Sequence, residues 1–110
     1  MHTSRRNVLF ICSRNEWRSR TAETVWAADD RITVRSAGTS PQARIRVSAA
    51  LLAWADLVFV MEDRHREQLI RRFGREVAGE MVVLDIPDHY RYMDAELVEE
   101  LRAVVAPYLE

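Results

Sequence analysis

The residues with the most chemical content lie in one short string, Val8-Leu9-Phe10-Ile11-Cys12-Ser13-Arg14-Asn15-Glu16-Trp17-Arg18-Ser19. It holds a cysteine, five residues, an arginine and then a serine. Cysteine is a nucleophile as its thiolate. A free thiol has a pKa of about 8.5, and helix N-termini or nearby arginines lower that to ~3.5–7.5. A loop that curls onto a helix N-terminus turns several backbone N–H groups inward and forms a nest for an anion. An arginine at Arg18 can hold two phosphate oxygens at once, a geometry lysine cannot copy. Ser19 can donate its hydroxyl hydrogen to the sulfur. The string suits a reactive thiol beside a bound phosphate. On spacing alone a plainer reading stays open, since free cysteine is among the most buried residues and Cys12 could simply end a strand.

The elements around the string favour the chemical reading. Asn7 to Ile11 is a dense apolar run and predicts a buried strand. Ser13 to Trp17 is polar and predicts a loop. From Arg18 onward, Ala22, Val25 and Trp26 fall at helical spacing. Further strands are predicted over Ile32–Ser36, Asp56–Met61 and Met81–Leu84, with turn chemistry from Ala37 to Pro41. Helices are predicted after Ser48, over Glu62–Phe73 with Gly74 as its stop, and after Asp94 as an N-cap. The last helix shows Leu97, Leu101, Val104 and Tyr108 along one stripe. Strands alternating with helices imply a parallel sheet with right-handed crossovers. In such sheets ligands bind at the carboxyl ends of the strands, where Cys12 is placed.

Composition bounds the rest. The chain has 110 residues, 48% hydrophobic and 30% charged, with a formal net charge of -1. That fits one domain over residues 1–110 and gives no electrostatic case for nucleic acid. Every basic residue other than histidine is arginine. One cysteine cannot build a disulfide framework, which favours a reducing compartment and a cytoplasmic location. Ser4-Arg5-Arg6 looks like an export signal, but the apolar run after it stops at Cys12, short of the ~7–15 residues required. No stretch nears the ~20 apolar residues of a membrane span.

The string and several later segments resemble the low-molecular-weight protein tyrosine phosphatases. Val34-Arg35-Ser36-Ala37-Gly38-Thr39 is similar to the family's second strand and its Ser-Ala-Gly turn. Ala43-Arg44-Ile45 resembles its Ala-Arg pair. Ala55 to Met61 resembles its third strand, and Ile86-Pro87-Asp88-His89-Tyr90 its late Asp-Pro-Tyr motif. The resemblance runs from Asn7 to Tyr90 in order. It implies a three-layer α/β/α fold with a four-stranded parallel sheet in the order 2-1-3-4. It also implies phosphate monoester hydrolysis through a cysteinyl-phosphate, on a phosphorylated protein or a small aryl phosphate. Cys12 is then the nucleophile, Arg18 the phosphate ligand and Asp88 the general acid, with Asp85 as second candidate for the acid. Ser13, Arg14, Asn15, Glu16, Trp17 and Ser19 complete the phosphate-binding loop. Asn15 is expected to take a left-handed conformation and bond across the loop to Ser36. Tyr90 is expected to line the cleft. No cofactor, metal, nucleic acid or membrane is implied.

The chain departs from the family at several points. Arg14 stands where the family has glycine, which predicts a strained or reshaped loop. Glu16 puts a carboxylate on the rim of an anion site and is expected to point outward or pair with Arg14 or Arg20. Trp17 replaces a second cysteine, His89 replaces proline, and the segment from Gly38 to Ala43 is too short for the family's helix there. His2, His65 and His89 lack metal-ligand spacing and read as solvated. Glu62, Asp63 and the arginines near them read as a wet helix face, Trp26 and Trp54 as core, and Tyr92 as a surface or rim ring. Alternatives to a phosphatase are an inactive phosphate- or phosphopeptide-binding module, an arsenate reductase and a cysteine phosphocarrier. A pure binder needs neither thiol nor acid, arsenate reduction calls for further cysteines, and a carrier has no use for Arg18 at this spacing.

Overall fold

The computed structural model describes residues 5–78 and 81–109, so His2 and Ser4 lie outside the described residues. Its strands are β1 (Arg6–Cys12), β2 (Ile32–Gly38), β3 (Leu57–Val60) and β4 (Met81–Val83). Its α-helices are α1 (Arg18–Trp26), α2 (Ala49–Trp54), α3 (Asp63–Phe73) and α4 (Ala95–Leu109), and a 3-10 helix covers Arg75–Ala78. The sheet runs in the order β2-β1-β3-β4, and each neighbouring pair is parallel.

The dense apolar run of β1 is buried on both faces because helices cover both. Val8, Phe10 and Cys12 share one core cluster with Ala22 and Trp26 of α1 and with Leu97, Leu101 and Val105 of α4. Leu9 and Ile11 point the other way, into a cluster with Val58, Val60 and Leu69. This period of two is the strand geometry, and it yields three layers. Phe10 stacks between Trp26 and Phe59, with ring centroids 5.6 and 5.1 Å away.

Local signals set most boundaries. Ser48 caps α2, its Oγ accepting from the Leu51 N–H at 3.1 Å. Asp94 Oδ1 accepts from the Glu96 N–H at 2.9 Å at the start of α4. Gly74 ends α3 with φ 98°. Several expectations are corrected. Ala37 and Gly38 belong to β2 rather than to the turn after it. The buried stripe of α4 is Leu97, Leu101, Val105 and Leu109, and Tyr108 is exposed. Val104 packs half-buried against the same cluster, as its i+3 spacing from Leu101 allows, so of the expected stripe only Tyr108 is displaced. Trp54 is half-buried, with the Arg35 guanidinium 4.6 Å from its ring centroid.

Candidate active site

β1 ends at Cys12, and the chain bends through residues 13–17 before α1 starts at Arg18. The bend turns on Asn15, a buried residue with φ 58°, a conformation that asparagine tolerates far better than most residues. The backbone carbonyls of the loop are drawn outward. Cys12 O accepts from Thr39 N at 3.0 Å, Ser13 O from Ser40 N at 2.9 Å and Arg14 O from Arg44 N at 2.9 Å. Asn15 O accepts from Arg44 Nε at 3.1 Å. With these carbonyls engaged by residues 39, 40 and 44, the Asn15 N–H turns to the Cys12 sulfur and the loop runs into α1, whose first turn carries no acidic residue. That is the arrangement of an anion nest.

Gly38 makes this clamp possible. A Cβ on Gly38 would lie 2.5 Å from Ser13 O and 2.6 Å from the Ala43 Cβ. Glycine is needed here for close approach, and its φ is not in the left-handed region. Arg14 is likewise absent from the positive-φ residues, so arginine in place of the family's glycine strains nothing at that position. The left-handed turn falls on Asn15 alone.

At the centre, Cys12 Sγ accepts from the Asn15 N–H at 3.2 Å and lies 3.0 Å from Ser19 Oγ. Asn15 Nδ2 donates to Ser19 Oγ at 2.8 Å, and the Ser19 hydroxyl donates to Ala37 O at 3.3 Å. A thiol can donate to Ser19 Oγ, and a thiolate can instead receive the Ser19 hydrogen. Ser36 does not meet Asn15. Its hydroxyl donates to Glu23 Oε1, while Asn15 directs its Nδ2 to Ser19 Oγ and its buried Oδ1 has no partner among the described residues.

Arg18 is 2% exposed. Its Nη1 donates to Glu62 Oε2 and, at 2.8 Å, to Ile86 O. Its Nε lies 3.6 Å from Asp88 Oδ1, on a side chain half open to solvent. The segment carrying Asp88 is pinned to the end of β3. Leu84 N donates to Val60 O at 2.9 Å and Ile86 N to Met61 O at 2.8 Å. Between them Asp85 takes φ 57°. Asp85 is exposed on a different opening, beside Glu62, Asp63, Arg64 and Pro87.

A cavity of about 240 Å³ opens above the sulfur, lined by Cys12, Ser13, Arg14, Glu16, Trp17, Arg18 and Asp88. It is smaller than the usual ~300–1,000 Å³ of ligand pockets, a size for the head of a monoester. Glu16 turns to Arg14, with Nε to Oε1 at 3.7 Å across two exposed side chains. Tyr90 does not line the cavity. Its ring is buried and its hydroxyl donates to Glu100 Oε2 of α4 at 2.8 Å. The aromatic at the mouth is Trp17, with the Arg91 guanidinium 5.7 Å from its centroid. No helix forms between Gly38 and Ala43, and no residue of that segment lines the cavity.

Two side chains read from the sequence as solvated belong to the site. Glu62 caps α3 and pairs with Arg64 at 3.0 Å and with Arg18. Hydrogen bonds from Arg64, then from Arg18, hold its pKa down at about 2. His65 is fully buried. Its Nδ1 accepts from the Glu62 N–H at 3.0 Å, and its Nε2 lies 2.9 Å from Ser13 Oγ. Burial, then the nearby charges of Arg18 and Arg64, push its pKa down to about 4. The available signal was position: Glu62 follows the carboxyl end of β3, where a parallel sheet gathers its ligands. Among the described residues no three of His, Cys, Asp and Glu are grouped to hold a metal.

No protein-family model matches the chain, and no curated protein matches it by sequence. Solved structures match its fold over nearly the whole length. The YwlE arginine phosphatase from Geobacillus stearothermophilus is 19% identical, with 94% of this chain and 90% of that one covered at TM-score 0.77. The tyrosine phosphatase Wzb from Escherichia coli K30, solved with phosphate, is 22% identical, with 96% and 97% covered at TM-score 0.77. The low molecular weight protein tyrosine phosphatase SP-PTP from Streptococcus pyogenes is 17% identical, with 94% and 91% covered at TM-score 0.79. With its sheet order, its loop at the end of β1 and these neighbours, the chain has the fold of the low-molecular-weight phosphatases.

Proposed function

We propose that the protein is a cysteine-dependent phosphatase that hydrolyses phosphate monoesters through a cysteinyl-phosphate on Cys12. The observation that carries this reading is the position of the Cys12 sulfur. It sits at the base of the cavity, inside a loop whose carbonyls point away, with the buried Arg18 and the half-exposed Asp88 on the same cavity wall. In the first step the Cys12 thiolate attacks phosphorus and an S–P bond forms. The bond to the leaving oxygen breaks, and Asp88 as the carboxylic acid gives that oxygen its proton. Arg18 and the loop amides hold the phosphoryl oxygens as charge shifts onto them. In the second step the Asp88 carboxylate takes a proton from water, the water oxygen bonds to phosphorus and the S–P bond breaks. Inorganic phosphate and the thiolate result. Positioned proton transfer of this kind contributes ~10²–10⁴-fold. Asp88 suits the acid role better than Asp85, which opens onto another surface.

The substrate class is a phosphorylated protein or a small aryl phosphate, with Trp17 at the mouth to receive a ring. The neighbours act on different phosphorylated residues, arginine for YwlE and tyrosine for Wzb, so the fold leaves that choice to the rim. A lone catalytic thiol suits a reducing cytoplasm, and no helix among the described residues is long and apolar enough to cross a membrane. The test is hydrolysis of para-nitrophenyl phosphate from acid to neutral pH. Turnover abolished in Cys12→Ser and reduced in Asp88→Asn is expected. Wild-type turnover no greater than that of Cys12→Ser, with phosphate still bound, makes the protein a phosphate-binding module instead.

A further inference from the structure

His65 is buried from solvent and uses both ring nitrogens. The Glu62 backbone N–H is a donor, so the Nδ1 it meets at 3.0 Å carries no proton. A neutral imidazole then has its hydrogen on Nε2. That hydrogen faces Ser13 Oγ at 2.9 Å, so Ser13 is the acceptor of this bond. The hydroxyl hydrogen of Ser13 remains, and Ser13 lines the cavity above Cys12. No second protein partner for that hydroxyl lies within hydrogen-bond distance among the described residues.

We propose that His65 is a positioning residue that turns the Ser13 hydroxyl hydrogen into the cavity, making Ser13 a side-chain donor to the bound phosphate. The inference rests on reading the cavity as a phosphate site. The chain of bonds runs from the Glu62 N–H through the imidazole to Ser13, and the Glu62 carboxylate grips Arg18. One capped helix end therefore holds both a hydroxyl donor and the guanidinium on the same anion. The low proton affinity of His65, set by burial and by Arg18 and Arg64, keeps the ring neutral and the bond direction fixed at neutral pH.

The probe is orthovanadate bound to the full chain and followed by calorimetry, which needs no turnover. Ser13→Ala is expected to weaken binding roughly tenfold or more, the scale of one hydrogen bond to a charged group. His65→Phe keeps a planar ring without either bond and gives a similar loss. The double variant is expected to be no worse than the weaker-binding single one. His65→Gln offers an acceptor and a donor on one amide and restores most of what His65→Phe loses. A purely structural histidine would lower the unfolding midpoint and leave the rescue and the non-additivity unseen. If His65→Phe does not fold, Ser13→Ala and His65→Gln decide. Wild-type vanadate affinity in Ser13→Ala overturns the proposal, as do losses that multiply in the double variant. Absent turnover of para-nitrophenyl phosphate by the wild type would remove the enzyme reading and leave this binding assay readable.

Discussion

Lowering the pH from 8 toward 4 forces a choice on His65. In the unfolded chain it takes a proton near pH 6.5, and in the folded protein only near pH 4. Between those values the unfolded state holds a proton that the native state does not, so unfolding becomes easier as pH falls. The contribution is absent as a penalty above pH 6.5 and fully developed below pH 4. Each pKa unit is worth ~1.36 kcal/mol. The separation of the two values therefore costs about 1 kcal/mol by pH 5.5 and about 3 kcal/mol by pH 4. Against a usual domain stability of ~5–15 kcal/mol this is a large share. The cause is structural. Burial disfavours the imidazolium, Arg18 from α1 and Arg64 from α3 repel it, and Glu62 only partly offsets them. Protonation would also put a hydrogen on Nδ1, against the Glu62 N–H. The assay is urea denaturation at half-unit pH steps, comparing wild type with His65→Gln. His2 and His89 are common to both proteins and cancel. The wild type is expected to lose stability from pH 6.5 downward, and the variant to stay flat to about pH 4.5. There Glu62, whose folded pKa is held down at about 2, begins to lose its contribution as pH falls. Equal slopes in the two proteins between pH 6.5 and 4.5 would refute the reasoning.

Gly38→Ala is expected to destabilise the fold by about 1–3 kcal/mol, and to cut turnover of para-nitrophenyl phosphate further than unfolding accounts for. The added carbon would meet Ser13 O at 2.5 Å, a backbone atom that can retreat only by moving the loop. Glu62→Gln removes the charge facing the buried Arg18 and is expected to lower kcat/KM roughly tenfold while weakening phosphate inhibition. Unchanged phosphate inhibition in that variant would show that Arg18 keeps its position without the pair.

The alternation of strands and helices was legible because it rests on signals within a few residues of each other, whereas the strand order β2-β1-β3-β4 was implied only by the family resemblance. The run from Asn7 to Ile11 can bury both faces only between two helical layers, and Ser48 and Asp94 announce their helices by side-chain acceptors two or three residues from their targets. Cys12, Asn15, Arg18 and Ser19 belong to the same class, since one bend brings all four together. Ser36 and Tyr90 failed for the opposite reason. Each was placed by its position in a motif, and each hydroxyl found a carboxylate on a neighbouring helix, Glu23 for Ser36 and Glu100 for Tyr90. Nothing in the local sequence says which acceptor wins.

Glu62 and His65 mark the boundary between the two cases. The helix start at Glu62 was legible, and a capping box has a local pattern, a capping residue followed three positions later by glutamate or glutamine. Histidine at that third position supplies the same acceptor through Nδ1, but it adds a second nitrogen that the pattern does not use. That nitrogen reaches a loop 52 residues away in sequence. A charged, arginine-rich stretch is read as solvated by its composition, and for Arg64 and Asp63 that is the outcome. The same stretch can bury one residue under a ligand loop only if that residue sheds its charge. Histidine does so at neutral pH more readily than any other basic side chain. A neutral, doubly bonded imidazole between a helix cap and the loop after β1 therefore lets α3 approach that loop without adding the charge of a protonated His65 to those of Arg18 and Arg64.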